Sequence, residues 1–407
     1  MISVDEAIRR ILENLPPPVT EKVDYQSAHG RVLAESLSAT GDVPPFNKSA
    51  VDGYALRAAD AAAVPVELRC TGESRAGAGR ELPLGPGEAV AIMTGAPVPD
   101  GADAVQMIEK TQRSADGARA AILKEVRPGE NIILAGSEVS TGEVVLESGR
   151  YVGPAEVAIL AMFGHRQVTV FRKPRVALVA TGDELVETDQ APGPGQIRNS
   201  NAPSVAAQLR QLGLEAEYLG ITRDDKAQLR GSILEGLRRD VLIVTGGVSV
   251  GAYDFVEEIL REAGLEVIFS GVAIRPGKPT VFARQGDRLV FGLPGNPIST
   301  FVSFELFVRP ALERICGFAS AGLFRVSGRL LLGVKHKAER TSFIPARLSW
   351  LPDGWAINPL RWKGSSDIIG FSQANAMLVL PQERKAIAEG EQAEALLLPD
   401  FWQRATR

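Results

Sequence analysis

Four consecutive apolar residues, Val241-Leu242-Ile243-Val244, run directly into Thr245-Gly246-Gly247, and a helix-like stretch, FVEEILREAG, follows shortly after. A short apolar run bounded in this way predicts a strand buried on both faces. Strands of that kind belong to parallel sheets covered by helices, which narrows this part of the chain to an α/β fold. The loop also carries chemistry: Ser249, Gly251 and Asp254 follow the glycine pair. Glycines let backbone N–H groups approach an anion closely, and the N-terminus of the next helix favours negative charge. A carboxylate beside such a loop makes sense if a divalent cation bridges it to a phosphate. The stretch therefore predicts a phosphorylated ligand held together with a metal.

The same texture extends from Pro174 to about Gly317. RVALVAT, LEAEYLGIT, DVLIVTGG, LEVIFSGVAI, PTVFAR and RLVFGLPG read as strands. APSVAAQLRQLG, DKAQLRGSILEGLRR, FVEEILREAG and the long PISTFVSFELFVRPALERICG read as helices. This alternation predicts a mainly parallel, doubly wound sheet, with its ligand at the carboxyl ends of the strands.

A chain of 407 residues exceeds the size at which a single core stops growing, so further domains are expected. Ser3 and Glu6 fit a capping box before Val4, Ile8, Ile11, Leu12 and Leu15 at helical spacing, and Pro16-Pro17-Pro18 ends that helix. The helix VGPAEVAILAMFG has Pro154 in its first turn and Gly164 past its end. Short β-like runs split by Gly and Pro fill the stretch between, and the tail after Ala319 returns to short strands. The resulting architecture is α/β plus β. An elongated, discontinuous N-terminal and linker domain takes residues 1–45 and 137–170. A small β-domain takes 46–136, the α/β domain 171–317 and a C-terminal β-domain 318–407.

Charge is nearly balanced, at −4 with 23% charged residues, which argues against a sequence-independent grip on nucleic acid. Cys70 and Cys316 are the only cysteines and form no CxxC pair, so a reducing, cytoplasmic compartment fits. There is no signal-peptide pattern and no apolar run of membrane-spanning length, so no membrane partner is expected.

Candidate residues gather at the predicted strand ends: Thr181, Gly182, Asp183 and Glu184; Arg223, Asp224 and Asp225; Gly246, Gly247, Ser249 and Asp254; and Pro294 and Asn296. Glu184 or Asp224 alone is as well explained as a helix N-cap. Three acids (Glu184, Asp224, Asp254) at the ends of separate strands instead suit a hard cation such as Mg²⁺. Asp225 reads as the plain cap of the helix that follows it. Arg275 and Lys278 flank Pro276-Gly277, which reads either as a solvated turn or as a phosphate clamp. GVAIRPGKPT misses the P-loop spacing and has Pro279 where a metal-holding hydroxyl would stand. Asp52-Gly53 reads most simply as a turn. Thr94, Arg347 and Ser365 have little chemistry by spacing alone.

Together the strings PPFNKSAVDGYALRAAD, AIMTGAPVPDGADAV, VALVATGDEL, GQIRNSN, GITRDD, TGGVSVGAYD, RPGKP and GLPGNPIST resemble the molybdopterin molybdenumtransferase family, which includes the C-terminal domain of gephyrin. They occur in the family's order across nearly the whole chain. The resemblance implies a homodimeric transferase that inserts molybdenum from molybdate into adenylylated molybdopterin, with Mg²⁺ support and release of AMP. It further implies contact with a molybdopterin adenylyltransferase or with molybdoenzyme acceptors.

The family's functional positions fall on Asp52, Thr94, Glu184, Asp224, Asp254, Arg347 and Ser365. Asp52 and Thr94 would act across the dimer interface. Glu184, Asp224 and Asp254 would supply metal ligands. Gly246, Gly247 and Ser249 would cradle phosphate, and Arg275 and Lys278 would hold the pterin phosphate or the oxyanion. Thr181, Gly182, Pro294 and Asn296 complete the ligand-binding set. The chain departs from the family with Gly271 where a basic residue is frequent, Arg275 where Lys is usual, and Asn199 where an acid is common. A tungstate-preferring relative, a nucleotide hydrolase on the same fold and a scaffold are the competing readings.

Overall fold

The computed structural model describes residues 1–75, Gly77, and residues 83–248, 256–337, 339–401 and 403. It divides into two compact units, one of residues 1–34, 151–153 and 168–407, the other of residues 35–150 and 154–167. Among the described residues no helix is long and apolar enough to cross a membrane.

The α/β part of the first unit is a six-stranded sheet in the order Ala216–Thr222, Val176–Thr181, Val241–Thr245, Arg288–Leu293, Val281–Gln285, Glu266–Ser270. The first four strands and Glu266–Ser270 run in one direction, and Val281–Gln285 alone runs antiparallel to its two neighbours. Every residue of Val176–Thr181 and of Val241–Thr245 is buried. Leu178 and Ile243 enter one apolar core, and Val179 and Val244 enter a second on the opposite face. Alternate side chains of one strand thus fill two layers, which is why these strands read as continuous apolar runs.

The N-terminal helix Val4–Glu13 is capped by Ser3, whose Oγ accepts from the Glu6 N–H at 3.1 Å. Its Val4, Ala7 and Ile11 enter the first of those cores.

Two sequence expectations for this unit are corrected. LEVIFSGVAI is not one strand. Gly271, at φ +84°, ends Glu266–Ser270, and Ile274–Arg275 pairs instead with Thr341 and Ser342 of the C-terminal domain. The long helix after Asn296 is also interrupted. Pro297–Ser303 and Arg309–Ile315 are α-helical, with a π-turn at Phe304–Val308 between them. Pro310 lacks the N–H that an α ladder would need at that turn.

The C-terminal strands Thr341–Leu351, Gly354–Pro359, Arg325–Leu330, Gln392–Leu397 and Ala376–Leu380 pair in that order. A further pairing of Ala376–Leu380 with Thr341–Leu351 closes them into a ring. Their core includes Leu330, Ile357, Leu378 and Ala395.

The second unit carries a six-stranded sheet in the order Ala104–Met107, Gly53–Leu56, Glu88–Ile92, Val66–Ser74, Arg119–Ile122, Thr111–Arg113. Gly53–Leu56 is buried throughout. Gly53 opens this strand rather than a turn, paired with Met107 of the neighbouring strand, and it must be glycine because a Cβ there would collide with the Gln106 carbonyl. Tyr54 and Leu56 face one small core and Ala55 the other. The helix Pro154–Met162 belongs to this unit and ends before Gly164 at φ +69°.

Candidate functional site

Parallel register brings the carboxyl ends of four strands to one edge of the α/β sheet. Thr181 pairs with Thr222, Ala180 with Thr245, and Thr245 with Leu293. The loops leaving those ends are tied together. Gly182 N–H donates to the Thr222 carbonyl at 3.2 Å, and Asp224 N–H to Asp183 Oδ1 at 3.3 Å. Gly246 N–H donates to the Leu293 carbonyl at 2.9 Å, and Asn201 Nδ2 to the Gly295 carbonyl at 2.7 Å. Thr181, at the end of its strand, and Gly182, Gly246, Gly247, Pro294 and Asn296, on the loops that follow, therefore lie at one strand-end edge.

Gly246 and Gly247 have φ of +92° and +64°. A Cβ on Gly247 would lie 2.8 Å from Thr181 Oγ1, and one on Gly246 would collide with the Thr181 carbonyl. Only glycine fits both positions. The Gly246 N–H is used within the sheet, so its contribution to a cradle is the missing side chain rather than a donor. Around these glycines, Thr181 Oγ1, Thr245 Oγ1 and Asn201 Oδ1 are buried without a hydrogen-bond partner among the described residues. Buried polar atoms are normally satisfied, and unsatisfied ones at a glycine-lined strand end mark a place shaped for a polar ligand. Asn201 and Thr245 were not singled out from sequence. Their signal was position alone: one ends a buried strand, and the other opens the helix Asn201–Gln211.

The carboxylates separate clearly. Asp225 caps the helix Lys226–Gly236, accepting from Gln228 N–H at 2.9 Å, so that cap is not Asp224. Glu184 precedes the short strand Leu185–Val186, which pairs with Ile197–Arg198, so it has no helix to cap. Glu184 is exposed and Asp224 half-buried. Ser249 and Asp254 lie outside the described residues. Among the described residues no group of three His, Cys, Asp or Glu side chains could hold a metal ion.

Arg275 and Lys278 are exposed on a turn anchored through Gly277. The Gly277 carbonyl accepts from Thr280 Oγ1 at 2.7 Å, and a Cβ on Gly277 would lie 2.7 Å from Ser303 Oγ. Ser365 is brought next to the strand-end loops: its carbonyl accepts from Ile298 N–H at 3.0 Å, in the first turn of the helix that follows Asn296. Arg347, on the strand Thr341–Leu351, donates from Nη2 to the Gln373 carbonyl at 3.4 Å.

In the second unit, Asp52 Oδ1 accepts from both Thr94 N–H (2.7 Å) and Thr94 Oγ1 (2.9 Å). The Thr94 amide, and behind it the Thr94 hydroxyl, hold the Asp52 carboxyl below the usual range. Asp52 lines a cavity of about 720 Å³ within this unit together with Cys70, and Thr71 and Arg113, unremarked in the sequence, line it too.

Residues 2–164 match the model of the MoeA N-terminal region (domain I and II). Residues 177–314 match that of a probable molybdopterin binding domain, and residues 327–398 that of the MoeA C-terminal region (domain IV). A molybdopterin molybdenumtransferase of Bacillus subtilis is 37% identical over 404 residues, spanning 98% of this chain and 94% of its own. One from Staphylococcus aureus is 36% identical over 403 residues, spanning 97% and 95%. The crystal structure of a molybdopterin biosynthesis MoeA protein from Pyrococcus horikoshii superimposes with a TM-score of 0.85 at 33% identity, covering 98% of this chain and 99% of its own.

Proposed function

From a chain that belongs to the molybdopterin molybdenumtransferase family, we propose an enzyme that inserts molybdenum from molybdate into adenylylated molybdopterin and releases AMP, working as a cytoplasmic homodimer. The observation that carries this reading is the polar, glycine-lined cradle of Thr181, Thr245 and Asn201 around Gly246 and Gly247. It suits a ligand that brings both hydrogen-bond donors and anionic oxygens to the strand ends.

Glu184 and Asp224 are hard oxygen donors on loops joined through Asp183, and Mg²⁺ is typically bound by one or two carboxylates plus substrate phosphate and water. They would hold Mg²⁺ together with Asp254. The ion would supply charge neutralisation on the phosphoanhydride. The chain's own groups do the positioning. The Gly247 amide faces the phosphate, and the Thr181 and Thr245 hydroxyls and the Asn201 amide oxygen orient the bound ligand. Arg275 offers a bidentate fork and Lys278 a point charge for phosphate or oxyanion. Arg347 and Ser365 serve the oxyanion end. Asp52 and Thr94 act on the ligand held by the partner chain.

AMP release from adenylylated molybdopterin tests this, with Mg²⁺ and with molybdate, tungstate or no oxyanion. Molybdate-dependent release sustains the proposal. Release with tungstate alone reassigns the metal, and release without oxyanion makes the chain a hydrolase of the same ligand. Tight binding with no release points to a scaffold.

A further inference from the structure

The strand Val66–Ser74 pairs in parallel with Glu88–Ile92, and the register slips between Cys70 and Gly72. Thr71 is therefore the extra residue of a β-bulge, a feature that re-aims side chains and clusters beside functional sites. Its Oγ1 is buried with no hydrogen-bond partner among the described residues, and Thr71 lines the same 720 Å³ cavity as Asp52. Both Thr94 bonds to Asp52 use Oδ1, which leaves Oδ2 as an acceptor with no protein donor on it among the described residues. Arg113 lines the cavity as well. It makes no ion pair among the described residues; its Nη2 donates to the Gly117 carbonyl at 3.5 Å, and Glu73, also on the lining, is bonded to Arg75 and feels Arg113 only through its charge. The Arg113 charge nevertheless reaches the cavity: burial raises the Cys70 thiol and the Tyr54 hydroxyl, and Arg113 opposes both shifts. Met93 and Ile108, large and exposed, form an apolar rim.

A carboxylate oxygen, an orphaned hydroxyl and an unpaired guanidinium around one cavity with an apolar rim match a flat heterocycle with two adjacent N–H donors and a ring carbonyl. An aminopyrimidinone edge has that pattern. An adenine edge, with an amino group beside a bare ring nitrogen, does not.

We propose that this cavity seats the aminopyrimidinone edge of the substrate's pterin. Asp52 Oδ2 accepts from the ring N–H and amino groups, Arg113 donates to the ring carbonyl, and Thr71 Oγ1 completes the ring's hydrogen bonds. Arg113 and Thr71 become specificity residues of the transferase, and the inference rests on the transferase reading for the source of the ring.

Cys70 lies in the cavity and serves as its reporter. The full-length protein is alkylated with iodoacetamide in the presence of 6-hydroxymethylpterin or of AMP. Modification of Cys70 is followed by peptide mass spectrometry, and AMP release is measured in parallel. The pterin should slow Cys70 alkylation at least threefold and AMP should not. Arg113→Gln and Thr71→Val should each weaken pterin binding, read from its fluorescence, at least fivefold, and Thr71→Ser should restore it. Protection by AMP and not by the pterin overturns the assignment of the ring. Molybdate-dependent turnover with no pterin protection overturns the cavity and leaves the transferase standing. Pterin protection without any turnover sustains the cavity and overturns the transferase.

Discussion

Asn199 Nδ2 donates to the hydroxyl of Tyr218 at 2.9 Å, and the Tyr218 O–H in turn donates to Glu187 Oε1 at the same distance. Asn199 is 1% exposed, and its Oδ1 accepts from Ala202 N–H at 3.1 Å. An amide does both jobs because it donates and accepts; an ionised carboxylate only accepts. The single proton of Tyr218 could then satisfy the new carboxylate or Glu187, not both. Burial, and the bond to Glu187 behind it, already hold the Tyr218 hydroxyl in its protonated form. The amide at Asn199 is thus matched by two neighbours of this chain, the Tyr218 hydroxyl and the Ala202 N–H. Asn199→Asp should lower stability at neutral pH by about 1–3 kcal/mol. A buried carboxyl has a raised folded-state pKa, so the folded variant binds more protons and the deficit shrinks as pH falls. Urea unfolding at pH 5 and pH 7 checks this. An equal deficit at both would remove the carboxylate from the explanation.

Gly246 and Gly295 are neighbours with opposite tolerances. A Cβ on Gly246 would collide with Thr181, at a φ that L residues avoid, whereas one on Gly295 would sit 3.8 Å from Gly246 Cα in ordinary contact. Gly246→Ala should lose at least about 2 kcal/mol of stability. Gly295→Ala should stay within about 0.5 kcal/mol of wild type. Its added methyl still borders the ligand cradle, so KM should rise while the melting temperature holds. Unchanged KM in Gly295→Ala would move the ligand away from this edge.

Asp52 offers a pH test. Thr94 depresses its carboxyl, chiefly through the backbone N–H and secondarily through the hydroxyl. A depressed carboxyl stays charged until pH falls through its folded-state pKa, so a step that needs the anion fails only on the acid side. Thr94→Val removes the hydroxyl and keeps the N–H. The acid limb of kcat/KM should therefore move upward by part of the full shift, and Thr94→Ser should leave it in place. A limb that does not move in Thr94→Val shows that another group titrates.

The parts of the fold that were legible in sequence are those where one physical demand governs a whole run of residues. Val176–Thr181 and Val241–Thr245 are buried on both faces, so their apolar runs could hardly be anything but central strands. Asp225 could be named as a cap because a helix start needs an acceptor at that place. What stayed hidden depends on partners remote in sequence. The break at Gly271 needs knowledge that Ile274–Arg275 pairs with Thr341–Ser342. Gly53 looked like a turn because the Gln106 carbonyl that excludes a side chain lies on another strand. Asn201 and Thr245 matter because their polar atoms are buried and unsatisfied, a property of the assembled strand ends rather than of any local motif.

Asp224 and Asp225 are adjacent acids with separable tasks. Asp225 spends its Oδ1 on the Gln228 N–H at the start of a helix, and Asp224 stands one residue earlier, on the strand-end loop tied to Asp183. Losing a cap costs about 0.5–2 kcal/mol and does not touch a metal. Losing a ligand leaves the helix intact and weakens the ion's hold. EDTA should abolish AMP release and added Mg²⁺ should restore it. In Asp224→Asn the Mg²⁺ concentration for half-maximal release should rise at least about tenfold, roughly 1.4 kcal/mol of binding, with stability near wild type. In Asp225→Ala the melting temperature should fall and the Mg²⁺ requirement should stay put. If the Mg²⁺ dependence moves in Asp225→Ala and not in Asp224→Asn, the ion sits on the cap side of the loop and the assignment of Asp224 fails.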